Sequence, residues 1–379
     1  MKIAFDISYI QQKKAGIGRA ALNLLKGLMN IDQINEYILH GWSYSLDIET
    51  IKIFKKHNVQ LSLLKIPGNI KRFYWNQFRT PNIEYFLKSI NIFHSSDPFL
   101  PPLHTAKGII TIHDLAYKKY PHLLQKQVIK WDTYIFKSIQ RANAIITPSN
   151  QSRNDIIEFF PSTADKIRVV HFPIEPIFTN IPEPNYDSLI KSKYNLDIPF
   201  ILFVGTIEPR KNLVNLIKAF EMFQHKHKFP LQLVICGKPG WLYRDIFEAI
   251  KQSSRVKNIR YLNYLPEKEL ASLYRLAHYF VYPSLYEGYG FPVLEAMASG
   301  TPVITSSTSS LKEIAEGAAI LVDPTNIDEL ADSMIKLSEN DSRLDELSRK
   351  GLERIKLFNS ATAAKQVLNI YKQLMDKNK

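Results

Sequence analysis

Two glutamates, Glu287 and Glu295, are separated by seven residues that begin with a Gly-Tyr-Gly-Phe-Pro run, in the stretch SLYEGYGFPVLEAMASGTPVITSSTSSLKEIAEGAAILVDP, residues 284–324. Pro292 suits the first position of a helix, because its fixed φ is already helical and its missing N–H is not needed there. The helix then reads Val293, Leu294, Glu295, Ala296, Met297, Ala298 and stops at Gly300. This predicts Glu287 on a loop and Glu295 in the first helical turn, bracketing the backbone N–H groups of 290–294. A helix N-terminus carries unpaired N–H donors and partial positive charge, so it suits an anion, while carboxylates beside it suit hydroxyls. A sugar joined to a phosphate has both. The plain alternative is that Glu295 only complements the helix dipole and Glu287 is a solvated loop residue.

Three further clusters have residue types fit for the same chemistry. Arg210 and Lys211 follow the apolar run FILFVG and precede an apolar-periodic segment from Leu213 to Phe223. At a strand-to-helix turn Arg can fork onto phosphate oxygens and Lys can act as a point charge, although such pairs are often solvated surface. Gly16-Ile17-Gly18-Arg19 lies between a strand-like start, residues 2–9, and a helical segment, residues 20–29. As a loop it could present backbone N–H groups to a phosphate, or be an ordinary turn. It lacks the third glycine of a dinucleotide fingerprint, which argues against a dehydrogenase. His113 and Asp114 follow the apolar strand 108–112 directly, at a strand end where open α/β sheets gather their ligands. A lone His in such a place is more often structural than catalytic.

These groups must be positioned by strands that alternate with helices, which favours parallel sheets with helices on both faces. Segments 37–41, 51–57, 59–64, 82–89 and 92–94 continue the alternation, 144–147 and 167–171 are further strands, and Ser149 or Asn150 can cap the helix running to Phe160. Residues 172–199, rich in Pro and Asn, read as a linker. The alternation resumes with strands 200–205, 231–236, 260–265, 280–284, 302–305 and 319–323. The expected organisation is a first α/β domain over 1–175, a linker over 176–199, a second over 200–355 and a terminal helical segment over 356–379. A chain of 379 residues is long enough for two cores.

Composition narrows the class. One cysteine, Cys236, excludes an internal disulfide and a cysteine-rich metal site and reads as buried filler. No Asp-x-Asp pair occurs, so no metal and no other cofactor is expected. No apolar run approaches the roughly 20 residues of a membrane span, and the start has no signal-peptide layout, so a cytoplasmic protein is expected. The net charge of +13 is uneven: through Asn180 there are 23 Lys and Arg against 13 Asp and Glu. With the interleaved cations and aromatics at 71–75 and at Lys118, Lys119, Tyr120, Lys126, Lys130 and Trp131, this suggests a phosphorylated substrate, an anionic membrane or nucleic acid. Amphipathic packing with solvated lysines is the plainer account.

Taken together and in order, GIGR, TIHDLAY, GTIEPRKN and SLYEGYGFPVLEAMASGTPVI resemble the retaining glycosyltransferases of family 4, group 1, whose signature is Glu, seven residues, Glu. The resemblance covers essentially the whole chain. It implies the GT-B fold, two Rossmann-like doubly wound parallel-sheet domains facing a cleft, with the terminal helix returning to the first domain. It implies a nucleotide sugar as donor, with Gly16, Gly18 and Arg19 near its diphosphate, Arg210 and Lys211 gripping the phosphates, and Gly290, Phe291, Val293 and Leu294 offering amides. Glu287 would contact sugar hydroxyls, Glu295 the ribose, and His113 the donor sugar, with Asp114 supporting it. Many relatives have Arg directly after the glycine where this chain has Thr206, and Gly where it has Asn263. The wording is most similar to bacterial O-antigen and polysaccharide mannosyltransferases, favouring GDP-mannose over UDP-glucose or UDP-N-acetylglucosamine and a glycan or lipid-linked acceptor. Contact with an anionic membrane stays open, and no nucleic-acid partner is expected. The alternatives are an epimerase or phosphorylase on this fold, or a non-catalytic basic binder of nucleic acid or membrane, which would not need the glutamate and glycine loops.

Overall fold

The computed structural model describes residues 1–10, 16–41, 52, 54, 56–64, 74–75, 78–123, 132–226 and 230–376. Residues 51, 53 and 55 of the expected element at 51–57, Lys71, Arg72 and Phe73 of the cation–aromatic run, and Lys126, Lys130 and Trp131 lie outside these residues. The chain forms two compact units. The first comprises Met1–Lys118, Lys126–Ile174 and Phe358–Lys379; the second comprises Lys119–Gln125 and Glu175–Leu357.

The first unit is built on seven strands: β1 (Lys2–Asp6), β2 (Glu36–Gly41), β3 (Val59–Leu63), β4 (Ile92–Ser95), β5 (Lys107–Thr111), β6 (Ala144–Thr147) and β7 (Ile167–Val169). All pair in parallel in the order β3-β2-β1-β4-β5-β6-β7. Central strands are covered on both faces, which is why β1 reads Ile3, Ala4, Phe5 without polar alternation and has no exposure at these residues. Helix α1 (Gly16–Ile31) buries Leu24, Leu25 and Leu28 on one face. The final helix, Ser360–Asp376, belongs to this unit and packs Ala363, Ala364 and Val367. Its buried Tyr371 hydroxyl meets His94 Nδ1 of β4 at 2.6 Å. Burial pushes the His94 imidazole down to about 3, so it stays neutral there.

The second unit has six parallel strands: β8 (Phe200–Val204), β9 (Gln232–Cys236), β10 (Ile259–Leu262), β11 (Tyr279–Tyr282), β12 (Val303–Ser306) and β13 (Ile320–Val322). Their order is β10-β9-β8-β11-β12-β13. Both sheets therefore reverse their winding once, between β1 and β4 and between β8 and β11. Ligands of such sheets bind outside the strand carboxyl ends at these reversals. In the second unit the segments leaving β8 and β11 carry Arg210, Lys211 and Glu287.

Three readings of the sequence change. The stretch read as a linker contains a helix, Pro184–Lys193, inside the second unit. Its proline is the first helical residue rather than loop punctuation, and its buried Asp187 binds Arg275 at 2.7 Å and Ser272 at 2.5 Å. The glycine loop 16–19 is the first turn of α1. Segment Lys119–Gln125, read within the first domain, is part of the second unit. There Trp241 Nε1 donates to the Leu123 carbonyl at 2.7 Å and the Tyr120 and Tyr286 rings lie 5.5 Å apart. No helix among the described residues is long and apolar enough to cross a membrane.

Candidate active site

The segment leaving β8 makes a 3₁₀ turn at Pro209–Lys211 and ends on Asn212 in the left-handed region. Asn tolerates that backbone better than most residues, and its side-chain amide donates to the carbonyls of Pro283 at 3.0 Å and Pro324 at 2.6 Å. Leu285 N–H donates to the Arg210 carbonyl at 2.9 Å. The loops after β8 and β11 are thus stitched together, and their charged side chains meet.

Glu287 is the centre of that meeting. Its Oε2 accepts from Arg210 at 2.9 Å. Its Oε1 accepts from Lys211 Nζ at 2.5 Å, Ser284 Oγ at 2.6 Å and Tyr282 at 3.0 Å. Glu208, 1% exposed, accepts from the other arm of Arg210 at 2.7 Å. Two carboxylates and two cations give a buried cluster with no net charge. Burial alone would raise the Glu287 carboxyl, but Arg210, Lys211 and the Lys211 and Ser284 hydrogen bonds outweigh it and hold the group at about 2. Glu287 is therefore an ionised acceptor and not a general acid. Burial dominates at the other two shifted groups: it raises the Glu208 carboxyl, and with the neighbouring Arg210 it lowers the Lys211 ammonium.

The helix following Glu287 is Phe291–Ala298, entered through Gly290 at φ +131°. A side chain at that φ is strained, and a Cβ there would also lie 2.8 Å from Leu311 Cδ2, so only glycine fits. Phe291 is the first helical residue and Pro292 the second, so Glu295 lies one residue further in than the sequence suggests, just past the first turn. It is 1% exposed, and its Oε2 accepts from the buried Tyr274 hydroxyl at 3.0 Å. The expectation of Glu295 as a first-turn carboxylate is corrected accordingly. The Val293 and Leu294 amides also turn inward, donating to the Gly290 carbonyl at 3.0 and 3.2 Å. This counts against their expected role as phosphate donors.

In the first unit, Gly18 lies in the first turn of α1, where a Cβ would come 2.3 Å from the Tyr9 carbonyl oxygen. Close backbone approach explains that glycine; Gly16 meets nothing within 4 Å. Arg19 shares the turn. His113, just past β5, places Nε2 3.2 Å from the Ser96 carbonyl and its ring 5.5 Å from that of Phe172. A carbonyl only accepts, so Nε2 carries the proton and Nδ1 is left as an acceptor. Burial lowers this imidazole and keeps it neutral. Asp114 caps the short helix Ala116–Lys119, accepting from Ala116 N–H at 3.0 Å. Of the expected residues, the structure joins Arg210, Lys211 and Glu287 in one network and places Glu295 apart from it on Tyr274. Sequence reasoning missed Glu208, Tyr274, Tyr282 and Ser284, although three of them sit inside or beside the quoted motifs as buried polar residues on strand-end segments.

Two doubly wound parallel sheets, the second carrying this charged cluster at its winding reversal, define the chain as a GT-B protein. It belongs to the glycosyl transferases, group 1: residues 188–354 match that family, and residues 15–176 match Glycosyltransferase Family 4. It is 29% identical to O-antigen chain mannosyltransferase B of Escherichia coli, over 99% of this chain and all of the relative. Among solved structures it resembles sucrose-phosphate synthase from Thermosynechococcus elongatus, with TM-score 0.78 and 21% identity over the full length of both chains. It also resembles Anabaena HepE in complex with UDP-glucose, with TM-score 0.76 and 14% identity over 98% of this chain and all of that one. At these identities the structural likenesses speak to the fold.

Proposed function

We propose that the protein transfers a sugar, mannose from GDP-mannose in the favoured case, to a glycan or lipid-linked glycan acceptor in O-antigen-type polysaccharide synthesis. The observation that carries the reading is the Arg210–Glu287–Lys211 network at the strand ends of the second unit. It sets cations for a diphosphate beside a carboxylate for sugar hydroxyls. The full-length likeness to an O-antigen chain mannosyltransferase supports the sugar and the pathway class.

Transfer proceeds with retention. The bond from sugar C1 to the leaving phosphate oxygen breaks as the acceptor oxygen bonds C1 on the same face, and the acceptor proton passes to that phosphate oxygen. Arg210 and Lys211 meet the charge that grows on the diphosphate, which is electrostatic preorganisation without a metal ion. Glu287 orients the sugar, Glu295 the ribose, and neutral His113 offers Nδ1 to the donor sugar. Peripheral contact of the basic first unit with anionic lipid completes the reading, supported by exposed Phe78 and Tyr85.

The test is nucleotide release from GDP-mannose, UDP-glucose and UDP-N-acetylglucosamine, with and without lipid-linked acceptors, and with EDTA. Release from GDP-mannose that rises with acceptor and survives EDTA is expected. Absence of binding and turnover for every donor in folded protein would defeat the enzyme reading. Salt-sensitive nucleic-acid binding indifferent to Glu287→Ala would favour a non-catalytic binder.

A further inference from the structure

Tyr282 ends β11 with its side chain 1% exposed, between the two charged groups that the proposed function assigns to phosphate and sugar. Lys211 Nζ donates to its hydroxyl at 2.8 Å, and the hydroxyl donates to Glu287 Oε1 at 3.0 Å. The direction is fixed by chemistry, because an ammonium only donates and an ionised carboxylate only accepts. Burial, reinforced by the Glu287 charge, raises the phenol far above its ordinary value, so the proton stays on it. Ser284, fully buried, has three acceptors near its one proton, and the shortest contact is Glu287 Oε1 at 2.6 Å.

The count of hydrogen bonds then becomes informative. Oε1 of Glu287 meets three donors, Lys211, Tyr282 and Ser284, whereas among the described residues Oε2 meets only Arg210. A carboxylate oxygen offers about two lone-pair sites, so Oε1 is filled and Oε2 retains one. Two of the three ammonium protons of Lys211 are used, and the third has no protein partner among the described residues. The Tyr282 ring needs no hydroxyl to hold its place: Phe203 and Phe280 stack on it with centroids 5.5 and 5.7 Å away.

We propose that Tyr282 and Ser284 are positioning residues, fixing Glu287 through Oε1 so that one lone pair on Oε2 remains for a donor-sugar hydroxyl. The proposal rests on the reading of Glu287 and Lys211 given above. It assigns the two hydroxyls to recognition of the sugar within the donor, not to binding of the nucleotide.

The test compares wild type with Tyr282→Phe, Ser284→Ala, Ser284→Thr and Glu287→Gln. For each, kcat, KM and melting temperature are measured, with affinities for GDP-mannose against GDP and for UDP-glucose against UDP. Losing one hydrogen bond to a charged group corresponds to about a tenfold effect or more. Tyr282→Phe and Ser284→Ala are therefore expected to lower kcat at least about tenfold and to shrink the preference for the sugar nucleotide over the free nucleotide. Affinity for the free nucleotide should stay within about threefold, and Ser284→Thr should recover most of what Ser284→Ala loses. Equal losses for sugar nucleotide and free nucleotide, or unchanged kcat and preference in folded variants, would overturn the assignment. If Glu287→Gln itself transfers at the wild-type rate, the reading of the site fails; if it is slow while Tyr282→Phe is not, only the positioning role fails.

Discussion

Glu208 and Arg210 form a buried ion pair at 2.7 Å, with the carboxylate 1% exposed, so the guanidinium proposed to meet the donor is already held by a neighbour two residues away. Glu208 also keeps the four-residue cluster neutral. Glu208→Gln keeps the shape and removes one negative charge. The expected result is severalfold tighter binding of a nucleoside diphosphate, because the cluster then carries one net positive charge, together with a lower melting temperature from the lost Glu208–Arg210 ion pair. Calorimetric titration with GDP and UDP, beside a thermal melt, checks both signs.

Among the described residues, Glu287→Ala removes the only counter-charge within hydrogen-bond reach of Lys211, and it removes one carboxylate partner of Arg210. Breaking a buried pair by deleting one partner costs about 3–5 kcal/mol, so this variant should unfold at a clearly lower denaturant concentration and lose transfer. Cys236→Ala is the contrast. Burial pushes that thiol up to about 12, and its Sγ donates to the Asn263 carbonyl at 3.5 Å, so no nucleophilic use is expected. Transfer rate should be unchanged, with a modest stability loss.

The low value of Glu287 also sets an acid limit. A carboxyl ordinarily near 4.5 that titrates at about 2 when folded contributes stability that is fully present above 4.5 and is lost as pH falls toward 2. Denaturant midpoints measured across that window should fall with pH in wild type and fall less in Glu287→Gln. An equal slope in both would place the acid sensitivity elsewhere.

His113 is held neutral by burial, with Nε2 bound to the Ser96 carbonyl. Protonation would convert Nδ1 from acceptor to donor. Because the folded value lies below the ordinary 6.5, the acid limb of kcat/KM attributable to this group should lie below pH 6.5. His113→Ala should abolish that limb and lower the rate, and a pH profile of both proteins measures it.

The sheets and the charged loops were legible because their signals are local. Apolar runs such as Phe200–Val204 and Ile3–Phe5 can only be buried strands, and Arg210, Lys211 and Glu287 sit directly after such runs. Positions that depend on helix phase or on distant partners were not. Pro292 fits the first or the second helical position equally well by its φ, and that single step moved Glu295 from the first turn to contact with Tyr274. Pro184 looked like a break in the chain, because the Asp187–Arg275 pair that anchors its helix joins residues 88 apart. The glycines at 16 and 18 suggested a loop, although Gly18 is required by the nearby Tyr9 carbonyl rather than by its own backbone angle. Tyr282 and Ser284 were visible as residues, but their shared target oxygen was not.

The most direct measurement of the central claim is the rate of nucleotide release from GDP-mannose in the presence of acceptor, wild type against Lys211→Ala, with the anomeric configuration of the product read by NMR. Lys211 donates to Glu287 and Tyr282, and its third ammonium proton, without a protein partner among the described residues, is the one proposed to meet the diphosphate. The account predicts an α-linked product from wild type and a rate at least about a hundredfold lower in the folded variant, the size of effect seen when one preorganised donor is removed. An inverted product, or a Lys211→Ala rate equal to that of wild type, would contradict it.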